Sequence, residues 1–392
     1  MQLRAFQIQK MNTTTFDTNV EINEKIISDE KSGFSLGHRP ELDGFRGISI
    51  ILVLVHHFFY PLLIGGFLGV DMFFVLSGFL ITSLLLEEWQ KFDTISLKNF
   101  YIRRLFRLMP AVIFLILLLA IFALFFLDSK SADKTFLGIW LTFSYVSNWF
   151  YAFDPSSANN PLGVTWSLAI EEQFYLIFPL ILLLVLRLKF CFRQIIAALI
   201  ILIIGIALHR KNIADNYGFV ARLYYASDTR ADALLVGCLV AFLFSWKADI
   251  FKRFASFFRI GAALSLVFMI ISVSMLEWSD IFLYDSGGYT FIAIAVGFLL
   301  ISLTAYKPKR AINILSCAPL VWIGRVSYGL YLWHWAIRWY LYGDAYLPDS
   351  GLQLLLATVL SFAFTILSYY CVEKPFLKLK DRFSQNRKLA HG

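Results

Sequence analysis

Arg46 and His57 stand eleven residues apart in GFRGISIILVLVHHFFY, residues 44–60, a stretch otherwise apolar apart from His56 and small residues. At about 100° per residue, an α-helix brings two such positions to within about 20° of one face and roughly 16 Å apart along its axis. Asp43 falls within about 40° of His57, whereas His56 points about 100° away. A guanidinium and an imidazole at lipid depth are costly to bury and mark pathways, proton relays or chemistry. An imidazole, with its reference pKa near neutrality, suits a general base or a transient acyl carrier. The structural alternative pairs Asp43 with Arg46 at the interface and leaves a hydrogen-bonded histidine above them.

The same reasoning picks out five further stretches. GGFLGVDMFFVLSGFLIT buries Asp71 and Ser77; its glycines and serine read as close helix packing, while Asp71 needs a partner. RRLFRLMP sets Arg104 and Arg107 three apart on one helical face. Paired guanidinium groups grip a phosphate by forked hydrogen bonding, although a basic cytoplasmic flank explains them equally well. In TWSLAIEEQFYLIFP, Glu171 shares a face with Ser167 and Tyr175 and is expected to face the bundle interior. SDTRADALLVG aligns Asp228 with Asp232, Arg230 offsetting their charge, as a salt-bridge cluster or a substrate site. VSYGLYLWHWAIRWY stacks Ser327, Tyr331, His334 and Arg338 at steps of three or four. That stripe lines a cavity or forms an aromatic belt with a snorkelling arginine.

The elements that must position these residues are membrane helices. The chain of 392 residues is 59% hydrophobic and 17% aromatic, with a mean hydropathy of +0.68, more apolar than a soluble domain. Its net charge of +8 comes from 35 Lys and Arg set mainly in short clusters between apolar runs, which are topology signals and argue against nucleic acid as a partner. The four cysteines have no close-paired spacing, so neither a disulfide framework nor a metal site is expected. The first 38 residues are polar without a leader pattern. The expected organisation is a cytoplasmic tail over 1–38, a membrane domain over 39–380 and a short cytoplasmic tail over 381–392.

Apolar runs long enough to span lie near 45–63, 67–86, 108–127, 166–186, 194–209, 229–246, 260–276, 290–306, 318–341 and 352–372. KADIFKRFASFFR, YKPKR and EKPFLKLKDR are basic and assigned inside, whereas EWSDIFLYDSGG and LYGDAYLPDSG carry no Lys or Arg and are assigned outside. Parity then requires residues 135–150 to begin and end on the same side, as a re-entrant or interfacial segment. The fold class is all-α: a polytopic membrane bundle of about ten helices with both termini cytoplasmic. HRK at 209–211, placed on the outer face, sits awkwardly with this assignment.

Taken in order, RPELDGFRG with its histidine eleven residues past the arginine, GGFLGVDMFFVLSGFLIT, RRLFRLMP, NPLGVTWSLAIEEQFYLIFP, DTRADALLVG, VSYGLYLWHWA and VEKPF resemble the integral-membrane acyltransferase 3 family over about residues 38–380. The resemblance implies O-acylation of surface carbohydrates or small molecules, and its ten-crossing arrangement agrees with the parity count. It places the family's essential arginine and histidine on Arg46 and His57, its inner-loop arginine pair on Arg104 and Arg107, and its glutamate on Glu171. Many relatives carry a hydrolase-like C-terminal extension; a stand-alone membrane domain is expected here. His56 departs from the aromatic or aliphatic residue usual beside the histidine.

The implied co-substrate is cytosolic acyl-coenzyme A, with acetyl favoured by family habit and no resident cofactor. The implied partners are a carbohydrate or small-molecule hydroxyl acceptor and membrane lipid, in a bacterial cytoplasmic membrane. On this reading His57, Arg46 and Asp43 are catalytic, with Asp43 or Asp71 orienting the imidazole. Arg104 and Arg107 hold donor phosphates, while Ser77, Glu171, Asp232 and His334 join Asp71 as substrate contacts. A secondary transporter or flippase of lipid-linked sugar is the rival reading. It usually shows inverted repeats or broken helices in matching halves, and none is visible. A non-enzymatic scaffold or sensor would explain the spans without needing His57. The topology predicts that a tag within residues 87–107 is reached only after the membrane is permeabilised; labelling of intact cells there would overturn it.

Overall fold

The computed structural model describes residues 37–247, 249–343, 345 and 348–379. Apart from residues 37 and 38, the two expected tails lie outside these described residues. The described chain is all-helical. In order it forms α1 (Pro40–Phe58), α2 (Gly69–Phe92), α3 (Leu97–Phe126), α4 (Ser129–Phe143), α5 (Ser147–Phe153), α6 (Thr165–Arg187) and α7 (Phe192–Tyr217). Then come α8 (Ser227–Lys247), α9 (Ala255–Met275), α10 (Gly288–Ile301), α11 (Lys309–Leu315), α12 (Ala318–Tyr342) and α13 (Gly351–Leu367), joined by short helical turns.

Eight described helical segments are long and apolar enough to cross a membrane, and α11 with α12, bent by 58°, make a ninth if taken as one span. This is an integral membrane bundle. The segment read from sequence as the first span, α1, falls outside that apolar set because Glu41, Asp43 and Arg46 all lie in its 19 residues. It is nonetheless a continuous α-helix. Pro40 occupies its first turn with Glu41 and Asp43 beside the positive end of the dipole, and His56 and His57 lie in its last turn.

Residues 135–150 do not form a span. They divide between α4, of 15 residues, and α5, of 7, and 15 residues rise only about 22 Å against a hydrocarbon core of about 30 Å. Their polar side chains are tied to the bundle instead. Thr142 meets Thr165 at 2.9 Å and Thr135 meets Tyr340 at 3.0 Å. Gln173 donates to Asn148 and to the Tyr145 carbonyl, both at 2.9 Å. Trp140, Phe143 and Phe153 remain exposed.

Two close crossings organise the helices. α1 packs on α12 with backbones in near contact: a Cβ at Gly324 would stand 1.8 Å from the Asp43 carbonyl oxygen, and one at Gly47 would stand 2.4 Å from that of Leu320. α2 and α8 cross in the same way, where a Cβ at Gly78 would lie 2.0 Å from the Leu234 carbonyl oxygen. Small residues at such crossings let lipid-embedded helices gain dispersion contact that apolar solvent cannot supply. Gly324→Val forces α1 and α12 apart and is expected to destabilise the bundle by about 1–3 kcal/mol. Thermal unfolding in detergent checks this, and an unchanged midpoint would remove the crossing from this role.

Candidate functional site

The site is built on α1, α2, α3, α6 and α12. A cavity of about 80 Å³ lies among them, with Arg46, Ser77, Arg104, Arg107, Glu171 and Tyr175 in its wall. Each is presented by the helical register of its own element. Ser77 faces α6 and donates to Glu171 Oε1 at 2.7 Å, so Glu171 points inward as its spacing predicts. Arg104 lies over the Tyr175 ring at 4.8 Å. Pro110, about one turn beyond Arg107 within α3, removes the hydrogen bond that would otherwise reach the Phe106 carbonyl.

Three guanidinium groups thus face one carboxylate. Among the described residues neither Arg46 nor Arg107 forms an ion pair, so their charge is available to an anionic ligand. α12 closes the opposite wall with Ser327, Tyr328 and Tyr331. Tyr331 donates to the Val164 carbonyl at 3.0 Å and its hydroxyl lies 2.7 Å from Ser167 Oγ.

Beyond Tyr331, whose ring lies 5.6 Å from that of His334, the two histidines of α1 and α12 meet. His57 Nδ1 lies 3.0 Å from His334 Nε2, and the rings are stacked at 5.1 Å. His334 Nδ1 lies 3.0 Å from the Leu330 carbonyl oxygen. A carbonyl can only accept, so the proton of neutral His334 is on Nδ1 and its Nε2 is an acceptor. His57 must then donate from Nδ1, which leaves the His57 Nε2 lone pair free. The chain of bonds fixes the tautomer that a general base or nucleophile needs. Trp335 abuts the His57 ring edge-on at 5.0 Å, and Arg338 Nε donates to the His57 carbonyl at 3.2 Å. His56 turns the other way, onto Phe67 at 5.6 Å and Tyr60 at 5.9 Å.

Several expected contacts are distributed differently. The His57 imidazole is oriented by His334, not by Asp43 or Asp71. Asp43 lies three to four turns down α1, near His38 at 3.7 Å and Arg325 at 3.6 Å, and makes no ion pair with Arg46. Asp71 is fully buried and held by Arg230 Nη2 at 2.9 and 3.1 Å. The Tyr289 ring lies 3.5 Å from that guanidinium. Asp232 accepts from Arg210 Nη1 at 3.0 Å and from Thr290 Oγ1 at 2.6 Å. Arg230 therefore serves Asp71 rather than offsetting Asp228 and Asp232. The alternating charges of α8 reach three different places, since Asp228 is bound by Arg222 at 2.5 Å and His209 at 3.0 Å.

These pairs also account for HRK at 209–211, because His209, Arg210 and Lys211 meet Asp228, Asp232 and Asp215 respectively. Tyr328 is a cavity residue that sequence reasoning passed over. It is next to Ser327, and its one signal is position beside the polar stripe of α12.

Residues 39–372 match a family described as an acyltransferase domain. Among curated relatives, the peptidoglycan O-acetyltransferase OatA of Listeria monocytogenes is 34% identical over 363 residues, covering 88% of this chain and 57% of the relative. The O-acetyltransferase OatA of Staphylococcus aureus strain NCTC 8325 is 36% identical over 363 residues, covering 88% and 58%. A putative O-acetyltransferase of S. aureus strain MSSA476 is 36% identical over 355 residues, covering 87% and 58%. The chain thus spans under three-fifths of the length of these relatives. No solved structure matches it.

The buried Asp71–Arg230 pair has a structural signature. Asp71→Ala leaves an uncompensated guanidinium and is expected to cost about 3–5 kcal/mol, whereas Asp71→Leu combined with Arg230→Met restores most of the loss. Chemical denaturation of the three proteins checks this. If the double variant stays folded but loses ligand binding, the pair belongs to the site instead.

Proposed function

Since this chain belongs to the acyltransferase family, we propose that it is a membrane-embedded O-acyltransferase that moves an acetyl group from cytosolic acetyl-coenzyme A to a hydroxyl of a carbohydrate or related small-molecule acceptor. The observation that carries this reading is the fixed tautomer of His57, whose Nε2 lone pair is left free by the bond to His334. The names of the bacterial relatives support the acetyl group, and that of the Listeria relative supports a glycan acceptor; with its apolar helices and a cytosolic donor, the proposed location is a bacterial cytoplasmic membrane.

The residues divide the work along α1. Arg46, Arg104 and Arg107 bind the donor's phosphates near the inner mouth, where a forked guanidinium pair matches phosphate oxygens. The cavity of about 80 Å³ is smaller than the ~300–1,000 Å³ typical of a cofactor cleft, so it receives one end of the donor. The flexible pantetheine arm crosses the roughly 16 Å to His57. There His57 Nε2 takes the proton of the acceptor hydroxyl as its oxygen bonds to the thioester carbonyl carbon.

The tetrahedral intermediate collapses with cleavage of the carbon–sulfur bond. The thiolate leaves and takes the proton back from His57, giving an ester and free coenzyme A. While His57 is protonated, His334 Nε2 accepts from its Nδ1–H and steadies the cation. Glu171, fixed by Ser77, balances the arginine cluster when the donor has gone. Asp71 and Asp232 are assigned to the scaffold rather than to substrate.

Thiol release from acetyl-coenzyme A by protein in nanodiscs tests the reading. His57→Ala is expected to reduce release by at least ~10²-fold, the lower range for loss of a general base. His56→Ala is expected to keep it. His334→Ala should lower the rate by about 10–100-fold and displace the pH profile, as loss of a partner that sets the base's tautomer and basicity does. A folded parent protein that neither binds nor cleaves the donor overturns the donor assignment, and full activity in His57→Ala overturns the mechanism.

A further inference from the structure

A second and larger cavity, of about 890 Å³, opens on the far side of α1. Its wall is apolar, with Ile48 and Leu52 from α1, Met269 and Val273 from α9, and Leu303 from the continuation of α10. It shares no lining residue with the cavity of the candidate site. On α1, Ile48 points about 160° away from Arg46, so the two cavities lie on opposite faces of the helix.

The groove has direction. On α9 it runs from Arg259 to Ser274, fifteen residues, or about 22 Å, somewhat more than the ~15 Å half-thickness of a bilayer core. Its charge is confined to Arg259 and Arg310. Arg259 lies near the start of α9, as the last residue of the basic stretch KADIFKRFASFFR, and Arg310 lies in the second position of α11. Both are exposed. The Arg259 guanidinium stands 5.1 Å from the Tyr306 ring centroid, and neither arginine forms an ion pair among the described residues. The backbone at this end is irregular, since Ser302–Tyr306 continues α10 as a π-helical turn, a form that recurs at functional sites.

A long apolar trough within membrane-spanning helices is filled by lipid, because no other apolar solvent is present. An apolar trough ending in two guanidinium groups that form no ion pair among the described residues selects an anionic headgroup. We infer that this groove is a specific binding site for one anionic phospholipid, its phosphodiester held by Arg259 and Arg310 and a chain lying along α1, α9 and the end of α10. The lipid fills the back of the helix that carries Arg46 and His57.

Native mass spectrometry of the delipidated, detergent-purified protein tests this, using phosphatidylglycerol and phosphatidylcholine with matched chains. The parent protein is expected to retain one phosphatidylglycerol in preference to phosphatidylcholine. Arg259→Gln with Arg310→Gln should weaken that binding roughly tenfold and abolish the preference. Arg310→Gln alone, on the exposed surface of α11, serves if the double variant does not fold. Leu303→Trp, which fills the trough without touching a charge, should reduce both lipids alike. Equal retention of the two lipids by the parent protein, or undiminished phosphatidylglycerol binding in the arginine variants or in Leu303→Trp, overturns the site. Displacement of phosphatidylglycerol by an equal concentration of a polyprenyl phosphate overturns the choice of phospholipid.

Discussion

The rest of the structure depends on how closely α1 can approach α12. At Gly47 and Gly324 the two helices touch backbone to backbone, with no room for a side chain on either. Both run in the same direction, and both place a histidine ten residues further on, at His57 and His334. Equal advances of about 15 Å from a shared contact bring the two imidazoles level, and they meet at 3.0 Å. A wider spacing at the glycines would carry both rings apart, leaving the proton on His57 without a defined position.

Around this crossing the bundle satisfies its charges internally. α8 is the hub: Arg230 binds Asp71 of α2, Asp232 binds Arg210 of α7, and Thr290 of α10 joins the second pair. In hydrocarbon an ionised side chain without a partner is strongly unfavourable, so these pairs specify which helices become neighbours. By contrast, Arg46 and Arg107 lie half-buried beside a cavity without ion pairs among the described residues. The separation between satisfied and available charge distinguishes scaffold from site more sharply than burial does, since Asp71 and Asp232 are more buried than Arg46 or Glu171.

The site also explains why two adjacent histidines have separate fates. Consecutive residues on a helix diverge by about 100°. His57 turns into the α12 interface and His334, whereas His56 is packed against Phe67 and Tyr60. The face shared by Arg46 and His57 is continuous, but the cavity and the histidine pair are successive compartments along it, with Tyr331 between them.

The sequence by itself determined what periodicity and hydropathy can carry: an all-helical membrane bundle, the alignment of Arg46 with His57, the inward face of Glu171, the stripe containing Tyr331 and His334, and the failure of residues 135–150 to cross. Each follows from one helix's own repeat, from the length a bilayer demands or, for residues 135–150, from the parity that the loop charges impose. Which charge meets which was decided only by the tertiary structure. Asp43 and Asp71 were equally plausible partners for His57 along the chain, yet the nearest acceptor came from a helix some 277 positions away. Arg230 lies two residues from both Asp228 and Asp232 but binds Asp71, 159 positions distant. A helix's register fixes the direction of a side chain, but its partner is set by the neighbouring helix and the crossing distance, and neither is written in local spacing.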